Sequence, residues 1–100
     1  MLGDSVKITI EFLGLPNLSG VLGKKSEIEF PGGTVSDLTS YLIRRYGPKV
    51  RQMLLDSDGQ MDSTIQVMIN DDGFLPRHQF SEKSINENDI VRFLLLAGGG

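Results

Sequence analysis

The sequence ends on three consecutive glycines, Gly98, Gly99 and Gly100, which directly follow the apolar run VRFLLLA. Because glycine lacks a Cβ atom, such a segment can lie extended in a narrow channel and adopt dihedral angles that other residues avoid. The chemical group that it offers is the terminal carboxylate itself. The pattern therefore indicates either a carboxylate that is delivered into another protein's active site or an ordinary disordered chain end.

Few other residues offer catalytic or metal-binding chemistry. The chain has no cysteine, and its single histidine, His78, has no metal-ligand spacing beside it, so we interpret it as a surface loop residue. The aspartates of the stretch Asp56-Ser57-Asp58-Gly59 lack the closing glutamate of a calcium loop and are typical of turns. No nucleophile and base can be paired. We therefore expect no metal site and no catalytic side chain.

The composition is that of one soluble globular domain. The chain has 100 residues, of which 39% are hydrophobic and 23% are charged, and its net charge is −3. This acidic balance argues against a nucleic-acid surface. The N-terminal stretch MLGDSVKITIEF lacks the features of a secretory signal, and no apolar stretch approaches the roughly 20 residues that span a bilayer. We expect a cytoplasmic protein with no nucleic-acid partner and no membrane partner.

Alternation of polar and apolar residues predicts the strands. They are Val6 to Phe12, Ser26 to Phe30, Ile65 to Ile69 and a last strand from Asp89 through Leu95, with a short edge piece at Phe74 and Leu75. The first two strands are expected to form a hairpin with a long loop. The last strand is apolar on both sides, which is typical of a central strand. Because one main helix cannot cover both faces of a sheet, we expect part of its second face to be exposed.

A main helix is predicted after Thr34, whose side chain forms a capping arrangement with Asp37. The stop signal is Gly47 followed by Pro48, and a short second helix is predicted within Lys49 to Leu55. The resulting order of elements predicts an α+β fold, in which one sheet carries the main helix across one face.

Five stretches in this order, VKITIEF, SEIEFPGGTVSDL, LLDSDGQM, IQVMIND and NDIVRFLLLAGGG, resemble the ubiquitin-like sulfur carriers of the MoaD/ThiS family. The loop YGPKVRQMLLDSDGQM makes the chain more similar to the small subunit of molybdopterin synthase than to the compact thiamine sulfur carrier. The resemblance implies a β-grasp (ubiquitin-like) fold with a mixed sheet of about five strands and one main helix across one face. It also implies a β-grasp domain over residues 1–97 and a flexible C-terminal tail over residues 98–100.

The same resemblance implies a carrier and not an enzyme. In the family an E1-like adenylating enzyme uses ATP to adenylate the terminal carboxylate, and a sulfur donor converts the adenylate to a thiocarboxylate. Gly100 would then carry the reactive carboxylate, Gly99 and Gly100 would form the diglycine, and Gly98 would add length to the threaded tail. The partners implied are the E1-like enzyme, with its ATP, and a sulfur-accepting synthase subunit of cofactor biosynthesis; the carrier itself would bind no cofactor.

The apolar residues before the tail are interpreted as both core and docking surface. We expect the outward face of the last strand to dock the activating partner, with Arg92 at the rim. Leu95 and Leu96 stand where the family commonly has prolines, which is a departure from its pattern. The predicted partner-binding residues are Arg92, Phe93, Leu94, Leu95, Leu96 and Ala97.

Two other functions remain open at this point. One is a protein modifier similar to the ubiquitin-related modifier, whose diglycine ends in an isopeptide bond to a lysine of a target. The other is a plain interaction domain with an incidental tail. The first shares its acyl-adenylate with the sulfur carrier, so the sequence separates these two poorly.

Overall fold

The computed structural model describes residues 5–14 and 25–95 of the chain. The main strands and helices lie within one or two residues of their predicted bounds. In chain order the elements are β1 (Val6–Leu13), β2 (Lys25–Phe30), β3 (Gly33–Thr34), α1 (Val35–Tyr46), α2 (Pro48–Leu54), β4 (Ile65–Ile69), a single 3₁₀ turn (Arg77–Gln79), β5 (Ser84–Ile85) and β6 (Ile90–Leu95). None of the described helices is long and apolar enough to cross a membrane.

The main sheet has the strand order β2-β1-β6-β4. Strand β1 pairs antiparallel with β2, as the predicted hairpin requires, and parallel with β6, where Phe12 lies opposite Phe93. Strand β4 closes the other side of β6 in an antiparallel ladder that places Val67 opposite the same Phe93. The prediction that the last strand is central is therefore confirmed.

The core lies between one face of this sheet and the helices. Alternate residues of the four strands point to that face, and the rings of Phe12 and Phe93 stack there with their centroids 5.5 Å apart. Helix α1 contributes its apolar stripe, and α2 adds a shorter one. The buried apolar residues that the helices supply are Val35, Leu38, Leu42, Val50 and Leu54, all at 0% exposure. The helices thus cover only one face of the sheet.

Helix α1 begins and ends where its capping residues predict. The hydroxyl of Thr34 accepts a hydrogen bond from the Asp37 amide at 3.3 Å, and the Asp37 carboxylate accepts one from the Thr34 amide at 2.9 Å. This is a reciprocal capping box in which aspartate takes the position that glutamate usually occupies. At the other end Gly47 has φ of 90° and donates its N–H to the Ile43 carbonyl at 2.8 Å, a conformation that glycine adopts without strain.

The predicted α+β architecture, a mixed sheet with the main helix across one face, is confirmed with one refinement of its sheet. The strands divide into the four-stranded main sheet and a separate two-stranded ladder of β3 and β5, in which Gly33 lies opposite Ile85. Ile85 of β5 is buried in the core. Phe74 and Leu75 do not form a full strand, because Phe74 makes only an isolated bridge to Met68.

Candidate docking site

The candidate docking site is the part of the sheet's outer face that lies on β1, β6 and β4, and we call it the open face. Its residues alternate along β1, β4 and β6 with the buried residues of the core. All of them are partly exposed, and the core-forming helices pack on the other side. The open face consists of Thr9, Glu11, Leu13, Gln66, Met68, Ile90, Arg92 and Leu94.

Phe93 does not belong to this face. Its side chain has 0% exposure and stacks on Phe12 inside the core. Because side chains of a strand alternate between two faces, the inward position of Phe93 turns its neighbours Arg92 and Leu94 outward. The inclusion of Phe93 among the partner-binding residues is therefore wrong, whereas Arg92 and Leu94 do lie on the outward face.

Arg92 is held by partners on β1 and in the turn that follows β4. Its Nε donates to the Glu11 carboxylate at 2.6 Å, and one of its terminal nitrogens donates to the Asn70 carbonyl at 2.9 Å. The same nitrogen lies 3.6 Å from the Asp71 carboxylate. With 25% of its side chain exposed, Arg92 presents a fixed and largely neutralised charge on the open face instead of a free cation.

The start of β6 is anchored by hydrogen bonds of the Asn70 side chain to Asp89 and Ile90. The Asn70 amide nitrogen donates to the Asp89 carboxylate at 2.9 Å, and the Ile90 N–H donates to the Asn70 side-chain oxygen at 2.9 Å. On the other side, the Thr9 N–H donates to the Asp89 carbonyl at 3.0 Å. The start of β6 is therefore hydrogen-bonded on both sides. The ladders with β1 and β4 then set the direction of the strand toward residue 95.

The last described residue, Leu95, lies at the end of the sheet. It pairs with Ile65 of β4 and is 37% exposed. Gly14, which follows β1, has φ of 75°, and a Cβ atom added there would lie 3.1 Å from the Leu95 carbonyl oxygen. Gly14 thus packs closely against Leu95, the last described residue of β6.

Gly14→Ala is expected to destabilise the protein more than Gly59→Ala. Both residues have positive φ, 75° and 80°, so each substitution introduces left-handed strain of about 1 kcal/mol or more. Only at position 14 does the added methyl group also press on backbone, because nothing lies within 4 Å of the corresponding atom at position 59. Urea unfolding of the two variants measures the difference. Equal losses of unfolding free energy would show that the Leu95 contact relaxes freely.

The remaining predicted site residues are Leu96, Ala97, Gly98, Gly99 and Gly100, and all five lie outside the described residues. The domain boundary after residue 97 lies outside them as well. The threaded tail and the reactive carboxylate at Gly100 therefore stay predictions. What the structure supplies is the position and surroundings of the strand that leads to them.

One exposed aromatic residue beside the open face was not predicted as part of a site. Phe74 is 54% exposed, and its bridge partner is Met68 of the open face. Directly opposed residues of an antiparallel pair share a face, so Phe74 extends the open face beyond β4. The sequence places Phe74 after a turn but gives no alternation from which its face could be read.

A groove of about 510 Å³ lies on the helical side, between α1, the loop after α2 and the 3₁₀ turn. The Arg77 guanidinium at its wall lies over Phe80, 5.5 Å from the ring centroid, and donates to the carbonyls of Met61, Asp62 and Ile65. Hydrogen bonds from the Thr64 hydroxyl and amide hold the pKa of Asp62 below its ordinary value, with a smaller contribution from Arg77. These hydrogen bonds brace the loop between α2 and β4.

The structure also shows how the side chains that could bind a metal are arranged, and where His78 lies. No three histidine, cysteine, aspartate or glutamate side chains come together as a metal site in the described part of the chain. His78 is exposed in the 3₁₀ turn, which agrees with its interpretation as a surface residue.

Comparison with known proteins identifies structural neighbours of the chain. No protein-family model and no curated protein matches the chain. Small archaeal modifier protein 1 (SAMP1) from Methanosarcina acetivorans has a TM-score of 0.74 at 17% identity, over 98% of this chain and 100% of that chain. SAMP1 from Haloferax volcanii has a TM-score of 0.71 at 17% identity, over 94% and 99%. Urm1 from Trypanosoma brucei has a TM-score of 0.64 at 20% identity, over 99% and 100%.

These likenesses establish the class of the fold. The chain has the β-grasp fold of ubiquitin-like proteins, and the matches span nearly the whole length of both partners. The structural neighbours bear the names of SAMP1 and Urm1, and the more specific similarity to the molybdopterin synthase small subunit stays a prediction.

Proposed function

We propose that this protein is a sulfur carrier, whose Gly100 carboxylate is adenylated by an E1-like partner enzyme and then converted to a thiocarboxylate. The observation that supports this most directly is the position of β6. This strand lies in the centre of a β-grasp sheet, has an outward face that none of the described helices covers, and is followed in the sequence by LAGGG. A docking surface and a reactive chain end are thereby joined in one segment.

The chemistry needs no catalytic side chain from the carrier. A carboxylate oxygen of Gly100 attacks the α-phosphorus of ATP in the partner's active site, and pyrophosphate leaves. The resulting acyl-adenylate is a good electrophile, because AMP is a better leaving group than an oxide ion. A sulfur nucleophile at the oxidation level of sulfide then forms the C–S bond and expels AMP, which leaves a thiocarboxylate.

The open face suits the docking step. Leu13, Leu94 and Met68 are apolar and partly exposed, and they lie on three adjacent strands beside Arg92. The residues 96–100 can span at most about 17 Å when extended. A partner that covers the open face could therefore receive the carboxylate in an active site at that distance from the end of β6.

The downstream acceptor that we propose is the synthase subunit of a molybdopterin-type cofactor pathway. The support is the sequence resemblance of YGPKVRQMLLDSDGQM, which contains α2 and the loop up to residue 61. In this proposal the protein is the small, non-catalytic subunit of a sulfur-transfer complex. It provides the sulfur atom, and the larger subunit provides the catalytic groups and binds the acceptor.

A second candidate function is that of a protein modifier, and the names of the structural neighbours favour it. SAMP1 is a small archaeal modifier protein by name, and its fold spans nearly the whole of this chain. The acyl-adenylate would be the same in both functions. In a modifier, a lysine amine of the target protein would take the place of sulfur and form an isopeptide bond to Gly100.

Intact-mass analysis separates the two functions. The purified protein is incubated with ATP, a sulfide source and a candidate E1-like enzyme from the same genome, and a chain truncated after Gly98 serves as the control. Replacement of one terminal oxygen by sulfur supports the carrier, whereas lysine-linked adducts on other proteins support the modifier. If neither product forms with any candidate enzyme, both functions are contradicted and a plain interaction domain is favoured.

A further inference from the structure

Phe74 is the most exposed large hydrophobic residue in the described part of the chain. It is 54% exposed. Leu95, at 37%, is the only other large hydrophobic residue of the described ranges that is exposed. A phenyl ring left in water forgoes the free energy that its burial would yield. A single exposed apolar residue is common, but one that continues an apolar surface marks a binding site more often.

The backbone around Phe74 is held firmly. The Leu75 N–H donates to the Val67 carbonyl at 2.8 Å, and the Asp72 N–H donates to the Ile69 carbonyl at 3.2 Å. Leu75 itself is buried in the core. The ring of Phe74 therefore projects from a turn that is fastened to β4 on both sides, so little conformational freedom is lost when a partner binds it.

Phe74 continues the open face toward the edge of the sheet. It lies opposite Met68, and Met68 lies opposite Arg92 of β6. Since neighbouring strands are about 4.8 Å apart, Phe74 lies about 10 Å from the strand that leads into the tail. A partner that covers the outward side of β6 needs to extend only across β4 to contact the ring.

The surroundings of Phe74 are acidic. Asp71 is 100% exposed at its side chain, and Asp72 is exposed as well. Arg92 lies 3.6 Å from Asp71 but forms its shortest contact with Glu11, and Lys83 lines a small cavity together with Asp72 and Phe74. With Arg92 paired to Glu11, the carboxylates of Asp71 and Asp72 outnumber the single ammonium group of Lys83 at this edge, so a complementary surface offers an apolar pocket with positive charge at its rim.

We propose that Phe74 is the anchor residue by which the E1-like activating enzyme docks on the open face, and that it enters an apolar pocket with a basic rim on that enzyme. This inference rests on the proposed function. The activating enzyme is the occupant because the surface runs without a break from Phe74 through Met68 to β6, and the protein that receives the tail must cover β6.

The test is ATP–pyrophosphate exchange catalysed by the candidate E1-like enzyme, with the carrier as the varied substrate. Phe74→Ala is expected to raise KM for the carrier about 10-fold or more and to leave kcat nearly unchanged, because the ring acts in docking and not at the carboxylate. Phe74→Leu should recover much of the loss. Gln52→Ala, at an exposed position of α2 on the helical side, is the control and should change neither constant.

A charge variant tests the basic rim. Asp72→Asn is expected to raise KM a few-fold at low salt, and the difference from the unaltered protein should shrink at about 0.5 M salt, where exposed charges are screened. A KM for Asp72→Asn that equals that of the unaltered protein at every salt concentration would overturn the basic rim.

The outcomes separate this proposal from the function on which it rests. If Phe74→Ala leaves KM unchanged while Gly100→Ala abolishes exchange, the anchor is refuted and the function stands. If no candidate enzyme supports exchange but calorimetry shows that one binds the protein and loses affinity with Phe74→Ala, the adenylation function is refuted and the anchor stands. If the protein self-associates in analytical ultracentrifugation and Phe74→Ala makes it monomeric without changing KM, the occupant is a second copy and the proposal is overturned.

Discussion

Gly100→Ala, or the addition of one residue after Gly100, should reduce adenylation by about 100-fold, because a displacement of about 1 Å at a reacting group can cost that much in rate. A methyl group on the last residue crowds a channel that fits glycine, and an added residue moves the carboxylate away from the α-phosphorus of ATP. Neither change touches the core of the described residues, so thermal unfolding should be nearly unchanged.

The matched control for this experiment is Gly98→Ala. Gly98 precedes the diglycine and is interpreted as extra length, so the same methyl group there should cost far less. The measurement is kcat/KM for ATP–pyrophosphate exchange with a candidate E1-like enzyme. Adenylation of Gly100→Ala at the rate of the unaltered protein would contradict a threaded tail and with it the proposed function.

Phe93→Ala is expected to lower the free energy of unfolding by about 3–5 kcal/mol, whereas Leu94→Ala should lower it much less. The Phe93 ring is fully buried and stacks on Phe12, so its removal leaves a cavity between β6 and the helices. Leu94 lies on the open face and is partly exposed. Since domains of this kind have about 5–15 kcal/mol of stability in total, Phe93→Ala can unfold a large fraction of the molecules at 37 °C.

Chemical denaturation measures both variants, and binding separates their roles further. Leu94→Asp should remain folded and bind the E1-like enzyme more weakly, because it places a charge in the apolar part of the open face. Phe93→Asp should fail to fold. Similar stability losses in Phe93→Ala and Leu94→Ala would mean that the inward and outward sides of β6 have been assigned incorrectly.

The main elements of the fold could be predicted because their signals are local and repeat. Alternation over Ile65–Ile69 predicts β4 with its bounds, and Thr34 with Asp37 predicts the start of α1. The two-residue strands β3 and β5 could not be predicted, since two residues carry no periodicity. Their pairing depends on contact between segments about 50 residues apart in the chain, and pattern analysis does not detect contacts at that separation.

The candidate site could be predicted only in part, for a related reason. The run from Val91 to Leu95 is apolar apart from Arg92, so its alternation does not reveal which side faces the helices. The pairing of Phe93 with Val67 and Phe12 decides this. Phe74 was missed because its face depends on one bridge to Met68. The role of Gly100 comes from resemblance and chemistry, and it stays a prediction.

The position of β6 also has a consequence for the order in which the protein can assemble. This strand is the last of the described elements along the chain, yet it lies between β1 and β4, and the ion pair of Arg92 with Glu11 joins residues 81 positions apart. During synthesis β1 and β4 therefore lack the strand that lies between them, and the four-stranded sheet can form only after β6 has left the ribosome. Contacts at such separation slow folding. Since the open face needs β6 in place between β1 and β4, a partner that docks there would bind only chains whose sheet is complete.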